Sequence, residues 1–316
     1  MNRLGASGQP FLFVVDYKQE QIWIEEVGKV NRDEILYAVK GFTNGEIGPE
    51  IPEPVPVEWK SDPVSEREYA RAFTEVQEQI RAGNSYLVNL TFATPVGTNL
   101  SLKDIFYRSA APYKLWMKDR FVVFSPETFV RIDGEFIYSY PMKGTIDAAL
   151  PDASRQILEN EKEAAEHATI VDLIRNDLSR VASEVHVTRY RFIDEIHTHK
   201  GALLQVSSEI RGRLPADWTA SLGTILFRLL PAGSVTGAPK KKTLEIIAAA
   251  ETYERGFYTG IMGYFDGHTL DSAVMIRFLE QQDGRFFFKS GGGITSRSEW
   301  QAEYEEMKQK VYVPIY

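Results

Sequence analysis

The 316-residue chain has no cysteine, which excludes disulfide staples, thiolate zinc sites and cysteine nucleophiles and permits a reducing compartment. A metal would therefore have to sit on oxygen or imidazole ligands, and there are only 5 histidines. Positive charge is also in short supply: 36 Lys and Arg against 44 Asp and Glu give a formal net charge of −8. No stretch interleaves basic residues with aromatics as a nucleic-acid surface would, so no nucleic-acid partner is expected. Long apolar runs are missing too. The opening MNRLGASGQP leads into FLFVVDY, which Asp16 interrupts too early for a signal peptide or a membrane span. The expected location is the cytoplasm, with no membrane partner. No repeat of fixed period is visible. What remains is ordinary globular composition, 43% hydrophobic and 25% charged, at a length that suits one large domain or two modest ones.

Residues 11–48 alternate short apolar runs (FLFVVDY, QIWIEEV, ILYAVKGF) with turn-like Asn and Gly, which predicts a strand-rich N-terminal segment over 1–48. Prolines then crowd together at Pro49, Pro52, Pro54, Pro56 and Pro63. Proline fixes φ and removes a ladder donor, so 49–63 reads as an extended connector ahead of a main body over 64–316. The body opens with a legible helix, with Ser65 as N-cap, Glu68 completing a capping box, Ala70, Phe73, Val76 and Ile80 at helical spacing and Gly83 as terminator. Strands are predicted at YLVNLTFATPV, FVVFSPETFV and EFIYSYP, and a long helix from about Asn160 to Val181. Helices around 220–230 and 239–253 lead into a meander of GIMGYFDG, TLDSAVMIRFLEQ and GRFFFKSGGG, closed by a helix from Ser298 to about Lys310. Asp266-Gly267 and Asp283-Gly284 are hairpin signals, so these strands should be antiparallel. Runs of strands between helices, without strict βαβ alternation, favour an α+β fold.

Chemistry-bearing residues cluster in a few places. In ENEKEAAEHATIVDLIRNDLSRVA, Glu163, Glu166, Ile170, Leu173 and Asp177 share one helical face, mixing carboxylates with aliphatics. A lone acidic helix is usually a solvated face; two carboxylates three apart beside apolar positions also suit a hard cation such as Mg2+. The last helix repeats the arrangement with Glu303 and Glu306, shortly after Gly291, Gly292 and Gly293. Glycines at a strand end let backbone amides approach an anion, although such runs are often plain turns. Lys143 in YPMKGT follows a strand and precedes Gly144; a desolvated amine there can act as a nucleophile, though most lysines are solvated. Glu127 in SPET has the chemistry of a general acid, with a turn carboxylate as the ordinary alternative.

Two motif-like stretches carry less. LLPAGSVTGAPKKK is not a Walker loop, because Ala238 and Pro239 stand where Lys and Ser or Thr should follow Gly237. It does describe a helix N-terminus whose amides can receive an anion. Asp194, His197 and His199 in DEIHTH have loose metal-like spacing without a helix to order them, and are read as loop.

In this order, AGNSYLVNLT, SPE, PMKGT, EKEAAEHATIVDLIRNDLSRV, GSVTGAPK, GYFDG, IR and GGG followed by EYEE resemble the chorismate-binding enzymes: the synthase subunits of anthranilate and aminodeoxychorismate synthases, and isochorismate and salicylate synthases. The resemblance spans about residues 64–316. It implies a four-layer α/β/β/α fold with two orthogonally packed, mainly antiparallel sheets. It also implies an Mg2+ cluster of Glu163, Glu166, Glu303 and Glu306. Chorismate contacts would come from Gly144, Thr145, Thr236, Gly237, Tyr264, Arg277, Gly291 to Gly293 and Lys310.

Lys143 stands where anthranilate and isochorismate synthases typically carry alanine and aminodeoxychorismate synthases carry lysine, and Thr236 before Gly237 leans the same way. The implied chemistry is attack by Lys143 at ring carbon C2, protonation of the C4 hydroxyl by Glu127, and addition of ammonia at C4. Ammonia would come from a separate glutamine amidotransferase subunit, since nothing in the chain resembles one. Gln205 departs from the histidine of many relatives, IDAALPDA follows PMKGT in place of Arg-Pro-Arg, and the tryptophan-binding motif of anthranilate synthases has no counterpart, so no tryptophan feedback is expected. The rival expectations are an anthranilate or isochorismate/salicylate synthase of the same fold, and a catalytically silent chorismate-binding subunit.

Overall fold

A computed structural model describes residues 1–45, 56–198 and 201–315. The chain is α+β, with helices and two antiparallel sheets, as the sequence predicts. It divides into two compact units: Met1–Pro10, Glu127–Ser234 and Phe265–Ser272 form the first, and Phe11–Pro126, Val235–Tyr264 and Ala273–Tyr316 the second.

In the first unit, strands Thr128–Asp133 and Phe136–Ser139 make a hairpin whose turn is eased by Gly134 at φ 59°. The second of these pairs with the long strand Gly201–Arg213, which also carries Met142–Asp147 and, in antiparallel register, Ser183–Thr198. The two long strands correct the expectation of a loop at DEIHTH: Asp194 lies opposite Gln205 inside the ladder. Register shifts between Ser183 and Phe192, with Glu184 and Arg191 at positive φ, throw the period-2 pattern out of phase. A search for strict alternation therefore misses the strand. His199 and the His197 side chain lie outside the described residues. The acidic helix runs Glu161–Leu178, capped by Asn160, whose side chain accepts from Glu163 N at 3.1 Å. Its inner face buries His167, Ile170, Val171 and Leu178, while Glu163, Glu166, Leu173 and Asp177 are half-buried, as the predicted stripe requires.

Among the described residues, the second unit is built on a nine-stranded sheet. Its order is Gly237–Ala238, Leu87–Thr98, Arg285–Ile294, Phe278–Gln282, Phe121–Ser125, Tyr113–Met117, Ile35–Val39, Phe42–Thr43, with Trp59–Ser61 also on Leu87–Thr98. Strands of the N-terminal segment thus belong to this unit; Phe11–Val15 and Ile22–Glu26 pair with each other. Of the proline-rich connector, residues 49–55 lie outside the described residues, and Trp59–Ser61 is extended and paired with Leu87–Thr98. The Asp283-Gly284 hairpin forms as predicted, with both residues at positive φ, 50° and 74°. TLDSAVMIRFLEQ is not one strand: Arg277, at φ 54°, separates Leu270–Val274 from Phe278–Gln282.

Helix Glu66–Arg81 starts where expected, Ser65 accepting from Glu68 N. It presents Tyr69, Phe73, Val76 and Ile80 to Ile246 and Ile247 of helix Lys240–Ala250, Tyr304 and Met307 of helix Trp300–Gln309, and Leu90, Phe92 and Ile294 of the sheet. Full burial of each large apolar side chain contributes about 1.5–3 kcal/mol. This packing fixes the last helix, and with it Glu303, relative to the glycine strand Arg285–Ile294.

Candidate active site

In the first unit, Lys143 lies opposite Val206 and Thr145 opposite Gln205, so Gly144 is the extra residue of a bulge. Gly144 has φ 78°, and a Cβ there would come within 3.2 Å of Glu163 Oε2. Glycine thus serves twice, permitting the left-handed turn and admitting the carboxylate against the backbone. Lys143 Nζ donates to Glu166 Oε2 at 2.7 Å, both side chains being largely shielded, 28% and 11% exposed. The next helix residue, His167, is buried with Nε2 2.7 Å from Ser208 Oγ. Burial first, then the charges of Arg191 and Lys143, push its pKa down to about 4, so it is neutral at pH 7. Glu127 is half-buried between strands and accepts from Ser234 Oγ at 2.5 Å. Thr145 is exposed.

In the second unit, Gly291, Gly292 and Gly293 lie opposite Thr91, Leu90 and Asn89. They lie near the end of strand Arg285–Ile294, as expected, and are paired there, which excludes the plain turn of the ordinary alternative. A Cβ on Gly291 would fall 2.2 Å from Leu90 O and one on Gly293 2.9 Å from Leu87 Cδ1, so close packing alone requires these two glycines. Gly292 differs: its Cβ would meet Glu303 Oε2 at 3.3 Å, Glu306 Oε1 at 3.6 Å and Lys310 Nζ at 3.8 Å. Lys310 Nζ donates to Glu306 Oε1 at 2.6 Å and to Gly291 O at 2.8 Å.

Thr236 is fully buried and its carbonyl accepts from Asn89 N at 2.8 Å. Gly237 has φ 136° and a hypothetical Cβ only 1.8 Å from Leu87 O, which excludes any side chain. Tyr264 stacks on Phe42 at 4.6 Å and Tyr37 at 6.0 Å, a packing role visible in the structure itself. The Arg277 guanidinium lies 5.6 Å from the Tyr312 ring centroid. Sequence reasoning passed over Glu251 and Arg255, whose side chains are 3% and 2% exposed. At i,i+4 spacing the pair reads like an ordinary surface ion pair, and only burial distinguishes it.

The donor chemistry fits a hard divalent cation: each unit sets an i,i+3 carboxylate pair against a glycine cradle that a Cβ would crowd. Each pair is also held by a lysine, Lys143 on Glu166 and Lys310 on Glu306. Among the described residues no group of three or more His, Asp or Glu side chains gathers as a metal site.

Comparison with known proteins defines the class. The family model of chorismate binding enzymes matches residues 9–315, and the chain belongs to that family. Among particular relatives, it is 52% identical over 314 residues to an uncharacterized PabA-like protein of Pasteurella multocida, covering 99% of this chain and 97% of that one. It is 28% identical to aminodeoxychorismate synthase component 1 of Bacillus subtilis, covering 95% of this chain and 67% of the relative. Among solved structures, anthranilate synthase component I of Streptococcus pneumoniae superposes with a TM-score of 0.68 at 26% identity, covering 82% of this chain and 61% of that one. The chain therefore has the chorismate-binding fold and spans about three fifths of that structure's chain. None of its described helices is long and apolar enough to cross a membrane.

Proposed function

We propose that the chain is the synthase subunit of an aminodeoxychorismate synthase, converting chorismate and ammonia to 4-amino-4-deoxychorismate and water. The observation that carries this reading is Lys143, placed by the Gly144 bulge and held 2.7 Å from Glu166. Binding alone gives no reason for a shielded lysine there, whereas nucleophilic catalysis needs one. In this reading the Lys143 ammonium first passes a proton to its partner Glu166 Oε2, and the neutral amine so formed attacks ring carbon C2 of chorismate. The ring double bond shifts, and the C4 hydroxyl leaves as water with a proton from Glu127. Ammonia then adds at C4, the double bond returns, and the C2–N bond breaks to restore Lys143. Ser234, donating to Oε1 of Glu127, orients the acid.

Glu163, Glu166, Glu303 and Glu306 are proposed to hold Mg2+, directly or through water. The ion would supply Lewis-acid polarisation of the substrate carboxylate. Lys310, Arg277, Tyr264, Thr236, Gly237 and Gly291 to Gly293, with Gly144 and Thr145, are proposed to bind and orient chorismate. A glutamine amidotransferase partner would deliver ammonia, in the cytoplasm, for para-aminobenzoate and folate synthesis.

The test is incubation of the purified chain with chorismate, Mg2+ and ammonium, with products resolved by chromatography and mass spectrometry. Aminodeoxychorismate without pyruvate is the expected result. Anthranilate with pyruvate, isochorismate, or unchanged chorismate would each overturn the reading while leaving the family intact.

A further inference from the structure

The Glu251–Arg255 pair is built differently from the surface ion pairs of this chain. Arg255 Nε and Nη2 donate to the two oxygens of Glu251 at 2.8 and 2.6 Å. Nη1 donates to Val235 O at 2.8 Å and to Thr259 Oγ1 at 3.3 Å, and Nη2 donates also to Asn89 O at 2.7 Å. All five N–H donors are thereby satisfied. Glu251 Oε1 further accepts from Thr91 N and Thr91 Oγ1, and Tyr253 OH lies 2.6 Å from the same hydroxyl. The backbone of the turn is held from the glycine strand, where the buried Lys289 Nζ donates to Glu254 O and Arg255 O. One guanidinium thus joins strand Leu87–Thr98, the turn after helix Lys240–Ala250, and the residue before Thr236.

The consequence for Thr236 and Gly237 follows from peptide planarity. In a trans peptide the C=O and N–H point in opposite directions. With Val235 O fixed on Arg255, the Thr236 N–H is turned away from the guanidinium. With Thr236 O fixed on Asn89 N, the Gly237 N–H is turned away from strand Leu87–Thr98. Two hydrogen bonds therefore set the direction of two successive amides, and Arg255 controls the first while gripping Asn89, which controls the second.

We propose that Arg255, locked by Glu251, is a positioning residue that, through Val235 O and Asn89, sets the backbone path of residues 236–237 against an anionic group of chorismate. This rests on the reading that residues 236–237 bind the substrate. A pair serving only to hold the fold would leave substrate affinity unchanged in any variant that still folds.

Two variants and one measurement on the unmodified chain test the proposal. Arg255→Lys keeps the charge beside Glu251 but cannot satisfy Val235 O and Asn89 O together. The double variant Glu251→Gln/Arg255→Met removes both charges, which buried cores often tolerate, and keeps an acceptor for Thr91. Each should raise KM for chorismate about tenfold with kcat changed by less than about threefold, the signature of lost uniform binding. In the unmodified chain, saturating chorismate should slow amide hydrogen exchange across 235–239 by at least about tenfold. A folded variant with KM within about twofold of the parent, or an exchange rate in 235–239 that chorismate leaves unchanged, would overturn the proposal while the family reading stood. Failure of the parent chain to bind chorismate would sink both.

Discussion

Lys143 Nζ reaches Glu166 Oε2 at 2.7 Å from a strand that bulges at Gly144, so the candidate nucleophile and a candidate metal carboxylate are direct partners. Glu306 and Lys310 repeat the relationship at 2.6 Å, again beside a glycine, Gly292. In both places a lysine neutralises the second carboxylate of an i,i+3 pair.

Replacing Lys143 by alanine should therefore separate binding from chemistry. Aminodeoxychorismate formation is expected to fall more than about a thousandfold, the order seen when a covalent nucleophile is deleted. Chorismate affinity should change little, while the thermal midpoint should fall, because the largely shielded Glu166 loses its partner. Single-turnover product analysis and calorimetric binding on one preparation would check this; retained turnover would contradict a covalent role.

The acid can be probed from both sides of its hydrogen bond. Glu127→Gln should lower turnover by about 10²–10⁴, while Ser234→Ala should lower it less and displace the alkaline limb of the pH–rate profile, where the acid loses its proton. An unmoved profile in Ser234→Ala would mean that Ser234 has no influence on the acid.

Glu303, only 7% exposed, and Glu163 should matter to Mg2+ in the same way although they lie in different units. Glu303→Gln and Glu163→Gln are each expected to weaken the ion by at least the roughly ten- to hundredfold that loss of even an outer-sphere partner costs. Titration of bound Mn2+ by electron paramagnetic resonance gives the constants. A loss confined to one of the two variants would show that the pairs do not serve one ion.

Gly237→Ala places a Cβ against Leu87 O at a backbone angle of 136°. Sterics and strain together should cost at least about 2 kcal/mol. Urea unfolding would read it; a variant as stable as the parent would show that the strand Gly237–Ala238 can shift aside.

Asp266 accepts from His268 N, Thr269 N and Thr269 Oγ1. Burial acts to raise its pKa, but these hydrogen bonds outweigh it and the pKa lies below the usual 3.8. A carboxylate lowered in the folded state adds stability that is complete above its unfolded pKa and is lost as the pH falls through the folded value. Asp266→Ala should thus be less stable than the parent at pH 7, by no more than about 1 kcal/mol because the carboxylate is partly screened by solvent, with the difference shrinking below about pH 4. Denaturation midpoints at pH 7, 5, 4 and 3 would reveal a constant difference if the turn were held by packing alone.

Much of the candidate site is local and so was legible. Ser65, Asn160 and the Asp283-Gly284 turn declare themselves because caps and tight turns are set by neighbouring residues. The stripe of Glu163, Glu166, Leu173 and Asp177, half-buried around the buried Ile170, follows from helical period alone. The order of motifs along the chain was enough to recognise the chorismate-binding family. The 16- and 13-residue strands Ser183–Thr198 and Gly201–Arg213 were hidden because bulges reset the alternation.

What the chain determined by itself was its complement of reactive groups: no thiol, two acidic pairs, Lys143 and Glu127. Only the tertiary structure decided their circumstances. It paired Gly291 to Gly293 within a sheet, because their neighbours are residues about two hundred positions away that no local pattern can announce. It made Lys143 a partner of Glu166 and buried Arg255 against Glu251, because burial and pairing depend on which segments the hydrophobic core brings together.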